Sequence, residues 1–284
     1  MKFLRLENSY KIILFIIALF ILNSSCMKHS GTAGEERQEF LSDLKKRTFQ
    51  FFWDQADSLT YQIDDRHPKI RFTSIASTGF GLTSYLVGIE NNYISREEGA
   101  QRVLNTFRWL WDSKQGPYEK DVTGYRGFYY HFLEYGTGHR YGNCELSTID
   151  TGLLMAGILS CQSYFNHSVP VENEIRALAD SLFYRVEWDW AMQNGNTMLM
   201  GWRPEKGFTS ASWTGYNEAM ILLIMALGSP THSIPADAWD HWCSSYVWDE
   251  FYGYEHVNFS PLFGHQYSHM YIDFRGIQDA YMRD

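Results

Sequence analysis

The stretch from Phe72 to Ile89 contains no charged residue, and Ala76, Gly79, Gly81 and Gly88 are spaced among Ile75, Phe80, Leu82 and Leu86. A helix built from it has no wet face, so it must be buried on all sides. The next segment is different. Ser95, with Glu98 three residues on, forms a capping-box pattern and opens a polar segment carrying Val103, Leu104, Phe107 and Leu110 on one face. The alternation then recurs: Thr151 to Phe165 is uncharged, and Val171 to Met192 is amphipathic with Glu172, Glu174, Arg176 and Asp180 on its wet side. Ala219 to Leu227 is uncharged again, followed by Ala236 to Trp248 with Asp237, Asp240 and His241, and Gly264 to Asp273 starts a fourth buried segment. Ahead of them an amphipathic helix over 35–57 carries Phe40, Leu44, Phe51 and Phe52. No run of strands is evident. Buried helices sheathed by amphipathic ones predict an all-α fold of the (α/α)6 barrel or toroid type. About four helix pairs are present, so the barrel is expected to be incomplete, with a C-terminal part missing.

The N-terminus reads as a targeting segment. Lys2, Arg5 and Lys11 precede an apolar run from Ile12 to Leu22, too short to span a bilayer and suited to a signal-peptide core. Ser24 and Ser25 lead into Cys26, an order close to a lipobox. The expectation is a signal peptide over 1–25, lipidation at Cys26, a polar tether over 26–34, and one α/α-barrel domain over 35–284. That makes the protein an exported periplasmic or outer-membrane lipoprotein, a monomer that meets the membrane only through its anchor. The formal charge is −9, and losing residues 1–25 removes Lys2, Arg5, Lys11 and Glu7 and leaves −11. Phosphate backbones repel such a chain, which excludes nucleic acid as a partner and favours a neutral ligand. Cys144, Cys161 and Cys243 read as core residues; were 144 and 161 to bracket one helix, its rise of roughly 25 Å would put them beyond disulfide reach.

Parallel inner helices all begin at one end, so their first turns and preceding loops converge on one mouth. Three segments line it: Tyr125 to Asp150, Gly201 to Glu218, and Asn258 to Asp273. Asp150 is the last charge before fifteen uncharged residues, and Glu218 the last before Met220, Ile221, Leu222, Leu223 and Ile224. Acidic residues suit helix starts on dipole and capping grounds alone, but two in equivalent positions on different inner helices point to a site. A glycosidase needs one carboxyl protonated and another ionised. Glu218, near Trp213 and Tyr216, is expected to be the proton donor, because burial beside rings raises a carboxyl's affinity for its proton. Asp150, after Ser147 and Thr148, is expected to stay ionised. Glu145 and Asp273 are reserves for that role or for hydroxyl contacts. Pyranose C–H faces pack on rings, which nominates Trp202, Trp213, Tyr216 and Tyr129 as platforms, with Arg203, Arg140 and His265 as further substrate contacts. His265 and His269 share the spacing of some metal sites, but no HExxH or cysteine pair accompanies them, so neither metal nor cofactor is expected. No nucleophile elbow, P-loop or dinucleotide fingerprint is present.

Five motifs in order carry a resemblance: Ser74-Ile-Ala-Ser-Thr-Gly-Phe-Gly-Leu-Thr; Gly88-Ile-Glu with Tyr93-Ile-Ser-Arg-Glu-Glu; Glu145-Leu-Ser-Thr-Ile-Asp-Thr; Tyr216-Asn-Glu-Ala-Met; and Tyr271-Ile-Asp-Phe-Arg-Gly-Ile-Gln-Asp-Ala-Tyr-Met. From about Arg47 onward the chain resembles the bacterial glucoamylase-like family, which includes glycoside hydrolase family 144, endo-acting β-1,2-glucanases with an (α/α)6 barrel. The resemblance implies inverting hydrolysis of a β-1,2-glucan, with pocket acids on the Glu145 to Asp150 helix start and at Glu218. Alternatives are a surface glycan-binding lipoprotein without turnover, an α-glucan-active glucoamylase-like enzyme, and a polysaccharide lyase.

Overall fold

The structure, a computed structural model, describes residues 33–68, 72–193 and 195–278; the apolar run and Cys26 lie outside them. Contacts divide the chain into Met1–Arg47 and Thr48–Asp284. The described residues of the first unit are the exposed opening turns of α1 (Ala33–Asp54), where Asp43 and Arg47 pair one turn apart at 2.8 Å.

In the second unit the charge-free segments become α2 (Ile75–Glu90), α4 (Thr148–Tyr164) and α6 (Met220–Leu227). They run side by side in one direction. Gly79 of α2 meets Leu153 of α4, and three residues later the Leu82 carbonyl accepts from the Cys161 thiol at 3.6 Å, with Cys161 two turns beyond Leu153. The approach is close enough to demand glycine: a Cβ at Gly79 would lie 2.3 Å from the Leu153 oxygen, and one at Gly157 would lie 2.2 Å from the Gly79 oxygen. On the other side of α4, Gly152 faces Leu222 of α6. Leu154, Met155 and Ile158 are fully enclosed here, each stabilising the fold by roughly 1.5–3 kcal/mol through removal of apolar surface from water.

The amphipathic segments become α3 (Arg96–Asp112) and α5 (Pro170–Tyr184). Ser95 and Glu98 complete the expected capping box at the start of α3. Arg96 then forks onto buried Glu172 of α5, at 2.8 and 2.9 Å, and donates to the Tyr164 carbonyl at the end of α4. One guanidinium thus fastens an inner helix end to two outer helices.

Three expectations need correction. The helix expected from Val171 to Met192 stops at Tyr184, and Trp188–Met192 is a separate 3-10 turn packed on Phe128 and Phe183 through Trp188. The outer helix expected from Ala236 to Trp248 shrinks to α7 (Ala238–Cys243), because the chain turns into an exposed hairpin, β9 (Val247–Phe251) with β10 (Tyr254–Asn258), through Tyr252 and Gly253 at φ 54° and 82°. The segment expected to be a fourth buried helix is α8 (Leu262–Tyr271), in which only Gly264 and Ser268 are buried while Leu262 and Met270 stand in the open; its Ser268 Oγ accepts the Ile221 N–H at the start of α6, 3.1 Å away.

Strands are also present, contrary to expectation. β1 (Ile63–Asp64), β2 (Phe72–Ser74) and β5 (Phe132–Glu134) form one antiparallel sheet. β3 (Gly124–Tyr125) and β4 (Phe128–Tyr129) form a hairpin, and β6 (Leu146–Ser147), β7 (Gly201–Arg203) and β8 (Gly207–Phe208) a third small sheet. Two or three residues cannot show alternation. Their role is positional, since β2 ends in Ser74 and β6 in Ser147, and each serine is the N-cap of the inner helix that follows.

Candidate active site

The start of α4 is held from three directions. Ser147 pairs with Gly201 across β6 and β7, the Thr148 N–H donates to the Met200 carbonyl at 3.2 Å, and the Trp213 indole N–H donates to Thr148 Oγ1 at 2.9 Å. Gly201 is required by this packing: a Cβ there would lie 2.7 Å from the Leu146 oxygen and 2.9 Å from Glu145 Cγ.

On this platform a line of charges forms. Arg203 Nη2 donates to Glu145 Oε2 at 2.9 Å, Glu145 Oε1 lies 3.0 Å from His131 Nδ1, and His131 Nε2 lies 3.6 Å from Asp150 Oδ1. The His131 ring stacks on Phe132, with centroids 3.8 Å apart. The hydrogen bond from His131, backed by its charge and that of Arg203, outweighs burial and holds the Glu145 carboxyl down at about 2. Burial disfavours the imidazolium, but the Glu145 bond and the negative charges of Asp150 and Glu145 prevail and leave the His131 pKa raised.

Asp150 is under opposing influences. Only 8% exposed, it is pushed up by burial despite the opposing pull of His131 and the hydroxyl of Ser147, which donates to its Oδ2. Glu218, half-buried just ahead of α6, is raised by burial and further by the charge of Asp150. Its Oε2 is buried and unbonded. The two carboxylates therefore lie within electrostatic reach at the starts of neighbouring inner helices. The Tyr267 hydroxyl of α8 senses both, its pKa raised by burial and then by Glu218 and Asp150. Repulsion disfavours ionising both together; the deeper burial of Asp150 opposes its anion, while two neighbours favour it. Asp150 has His131 and Ser147; Glu218 has neither.

Other expected contacts lie elsewhere. Tyr129 is fully buried, its hydroxyl bonded to the Leu110 carbonyl and to Arg185, so it is core and not a platform. Arg140 is equally enclosed, clamped by Glu205 at 2.5 Å and the Cys144 carbonyl at 2.7 Å beneath Tyr130, and it holds loops together instead of meeting a ligand. Trp213 braces Thr148 and is 8% exposed. Tyr216 is enclosed by Trp242, Tyr246 and His265, the last 5.1 Å away, while His265 Nε2 bonds to the Phe259 carbonyl at 2.8 Å. Asp273 follows the C-terminal end of α8 and pairs with Arg275 in the open, so it does not join the acids. Trp202 stays half-open between Tyr125 and Trp190, next to Arg203. Sequence reasoning missed the roles of His131 and Tyr267; each lies in a segment expected at the mouth, but no spacing singled it out.

Similar proteins carry the same arrangement of helices. A family model described as "Putative glucoamylase" matches residues 210–284, which include Glu218. A solved structure of that description from Bacteroides uniformis is 27% identical, with a TM-score of 0.78 over 86% of this chain and 61% of its own. The endo-β-1,2-glucanase from Chitinophaga pinensis, solved with sophorotriose and glucose, is 27% identical, with a TM-score of 0.76 over 86% of this chain and 62% of its own. The chain resembles the glucoamylase-like family. A curated relative, the exo β-1,2-glucooligosaccharide sophorohydrolase (non-reducing end) of Parabacteroides distasonis, is 26% identical over 245 residues, or 83% of this chain and 33% of that protein. This chain thus spans a third of the length of the curated relative and about three fifths of these two solved chains.

Proposed function

We propose that this chain is a glycoside hydrolase that cleaves a neutral β-1,2-glucan with inversion, built as an α/α toroid. The observation that carries the reading is the coupled pair at the helix starts: Glu218, raised by burial and by Asp150 and with Oε2 unbonded, beside Asp150, which has His131 and Ser147 to favour its anion. In this mechanism Glu218 donates its proton to the glycosidic oxygen as the bond to the sugar breaks. Asp150 takes a proton from a water on the opposite face of the ring, and that water adds to the anomeric carbon. Glu145, pinned ionised by His131 and Arg203, keeps His131 oriented towards Asp150 and stabilises charge on the imidazole. Trp202 offers a face to the sugar. The named activities of the Chitinophaga and Parabacteroides relatives support the linkage. Export as a lipoprotein acylated at Cys26 completes the reading and is supported by the basic residues and apolar run that precede it.

The test is to incubate the protein with a panel of α- and β-glucans and follow new reducing ends. Release from β-1,2-glucan is expected. Release from α-linked glucans alone would replace the linkage, and release from none would end the enzyme reading.

A further inference from the structure

The β3–β4 hairpin turns through Arg126 and Gly127, both left-handed at φ 55° and 80°. Arginine is an uncommon choice there, since its Cβ opposes that conformation. The turn is locked by its surroundings, because the Glu187 N–H donates to the Arg126 carbonyl at 3.1 Å and the Gly127 N–H donates to Gln115 Oε1 at 2.8 Å. The result is a fixed arginine on the wall of an open cavity of about 450 Å³, shared with Gln115, Pro117, Tyr118, Tyr125 and Glu187.

The chemistry of this wall narrows the occupant. Arg126 is already ion-paired to Glu187, so its charge is neutralised and an anion gains little. Two donors lie unbonded just beneath the surface, Gln115 Nε2 and Arg126 Nε, both on residues that line the cavity. Buried donors without acceptors are costly, which favours a ligand rich in neutral oxygens. Tyr118, 58% exposed, adds a flat face suited to C–H groups. Hydroxyl oxygens on a ring with apolar faces satisfy both demands.

One wall residue of the cavity, Tyr125, leads by packing towards the acid group. The Tyr125 ring lies 5.4 Å from Trp202, and the next residue, Arg203, holds Glu145. We infer that this cavity is a distal sugar-binding subsite, engaging units of a neutral gluco-oligosaccharide remote from the bond that is cleaved. The inference rests on the hydrolase reading for the identity of the sugar.

Binding of a β-1,2-linked trisaccharide and of longer β-1,2-gluco-oligosaccharides to the full chain, measured by calorimetry alongside reducing-end release, tests it. Tyr118→Ala removes the exposed ring, and Arg126→Gly removes the guanidinium while easing the left-handed turn, so folding is preserved. Both variants are expected to bind the longer sugars about tenfold more weakly while trisaccharide binding and turnover stay unchanged. Equal binding of the longer sugars by wild type and variants overturns the subsite and leaves the hydrolase reading intact, as does an equal loss for both lengths. Length-dependent loss without any reducing-end release supports the subsite and removes the hydrolase reading. No binding of either length by the wild type removes both.

Discussion

His131 Nε2 lies 3.6 Å from Asp150 Oδ1 while the opposite nitrogen of the same ring lies 3.0 Å from Glu145 Oε1. One imidazole thus stands between two carboxylates, one held ionised and one pushed towards its proton. The electrostatics of the helix starts follow from that placement.

The first consequence concerns stability against pH. Glu145 is depressed from its ordinary 4.5 to about 2, so its contribution is complete above about 4.5 and is lost as pH falls towards 2. His131 is raised above its ordinary 6.5, so its contribution is complete below about 6.5 and is lost as pH rises through the raised value. The pair therefore stabilises most between these limits. Thermal unfolding of wild type and His131→Asn across pH 2 to 9 is expected to show the widest gap in Tm between roughly pH 4.5 and 6.5, narrowing on both sides. A gap of constant size would mean that the ring acts by packing alone.

Coupling between the two acids gives a second expectation. The charge of Asp150 raises Glu218, though less than burial does. In Asp150→Asn the burial remains and the repulsion goes, so the Glu218 carboxyl is expected to titrate at lower pH while staying above the ordinary 4.5. Carboxyl-selective NMR titration reads this directly; an unmoved Glu218 would show that the charge of Asp150 does not reach it.

Gly201 tests the platform. An alanine Cβ would press on the Leu146 oxygen at 2.7 Å and on Glu145 Cγ at 2.9 Å, shifting Glu145 away from His131. Gly201→Ala is expected to lower kcat on β-1,2-glucan at least tenfold, since small misplacements near a reacting group are costly, and to bring the Glu145 pKa back towards 4.5. A loss of Tm with kcat and the Glu145 titration intact would reduce this glycine to a packing role.

Much of this is legible in the chain itself. The charge-free runs at 75–89 and 151–164 do form helices packed on each other, although α2 is buried along one side only and leaves Val87 exposed, and the capping box at Ser95 and Glu98 marks an outer start. The last charge before an apolar run must sit at the helix lip, which is why Asp150 and Glu218 could be named together. What sequence could not supply was long-range partnership. Arg185 and Glu205, which bury Tyr129 and Arg140, lie 56 and 65 residues from them, and an aromatic, glycine-rich loop looks the same whether it lines a mouth or packs beneath one. His131 meets Glu145 because the chain bridges Tyr130 to Leu146, through a contact too short to leave a periodic signal. Burial of Asp150 likewise depends on neighbours that its own helix does not reveal.

The central claim is that Glu218 delivers the proton. Hydrolysis and binding of β-1,2-glucan by Glu218→Gln, measured on the same preparation, test it most directly. Loss of reducing-end release by at least a hundredfold with affinity retained is the predicted result. Hydrolysis close to wild type, or affinity lost in step with activity, would contradict it.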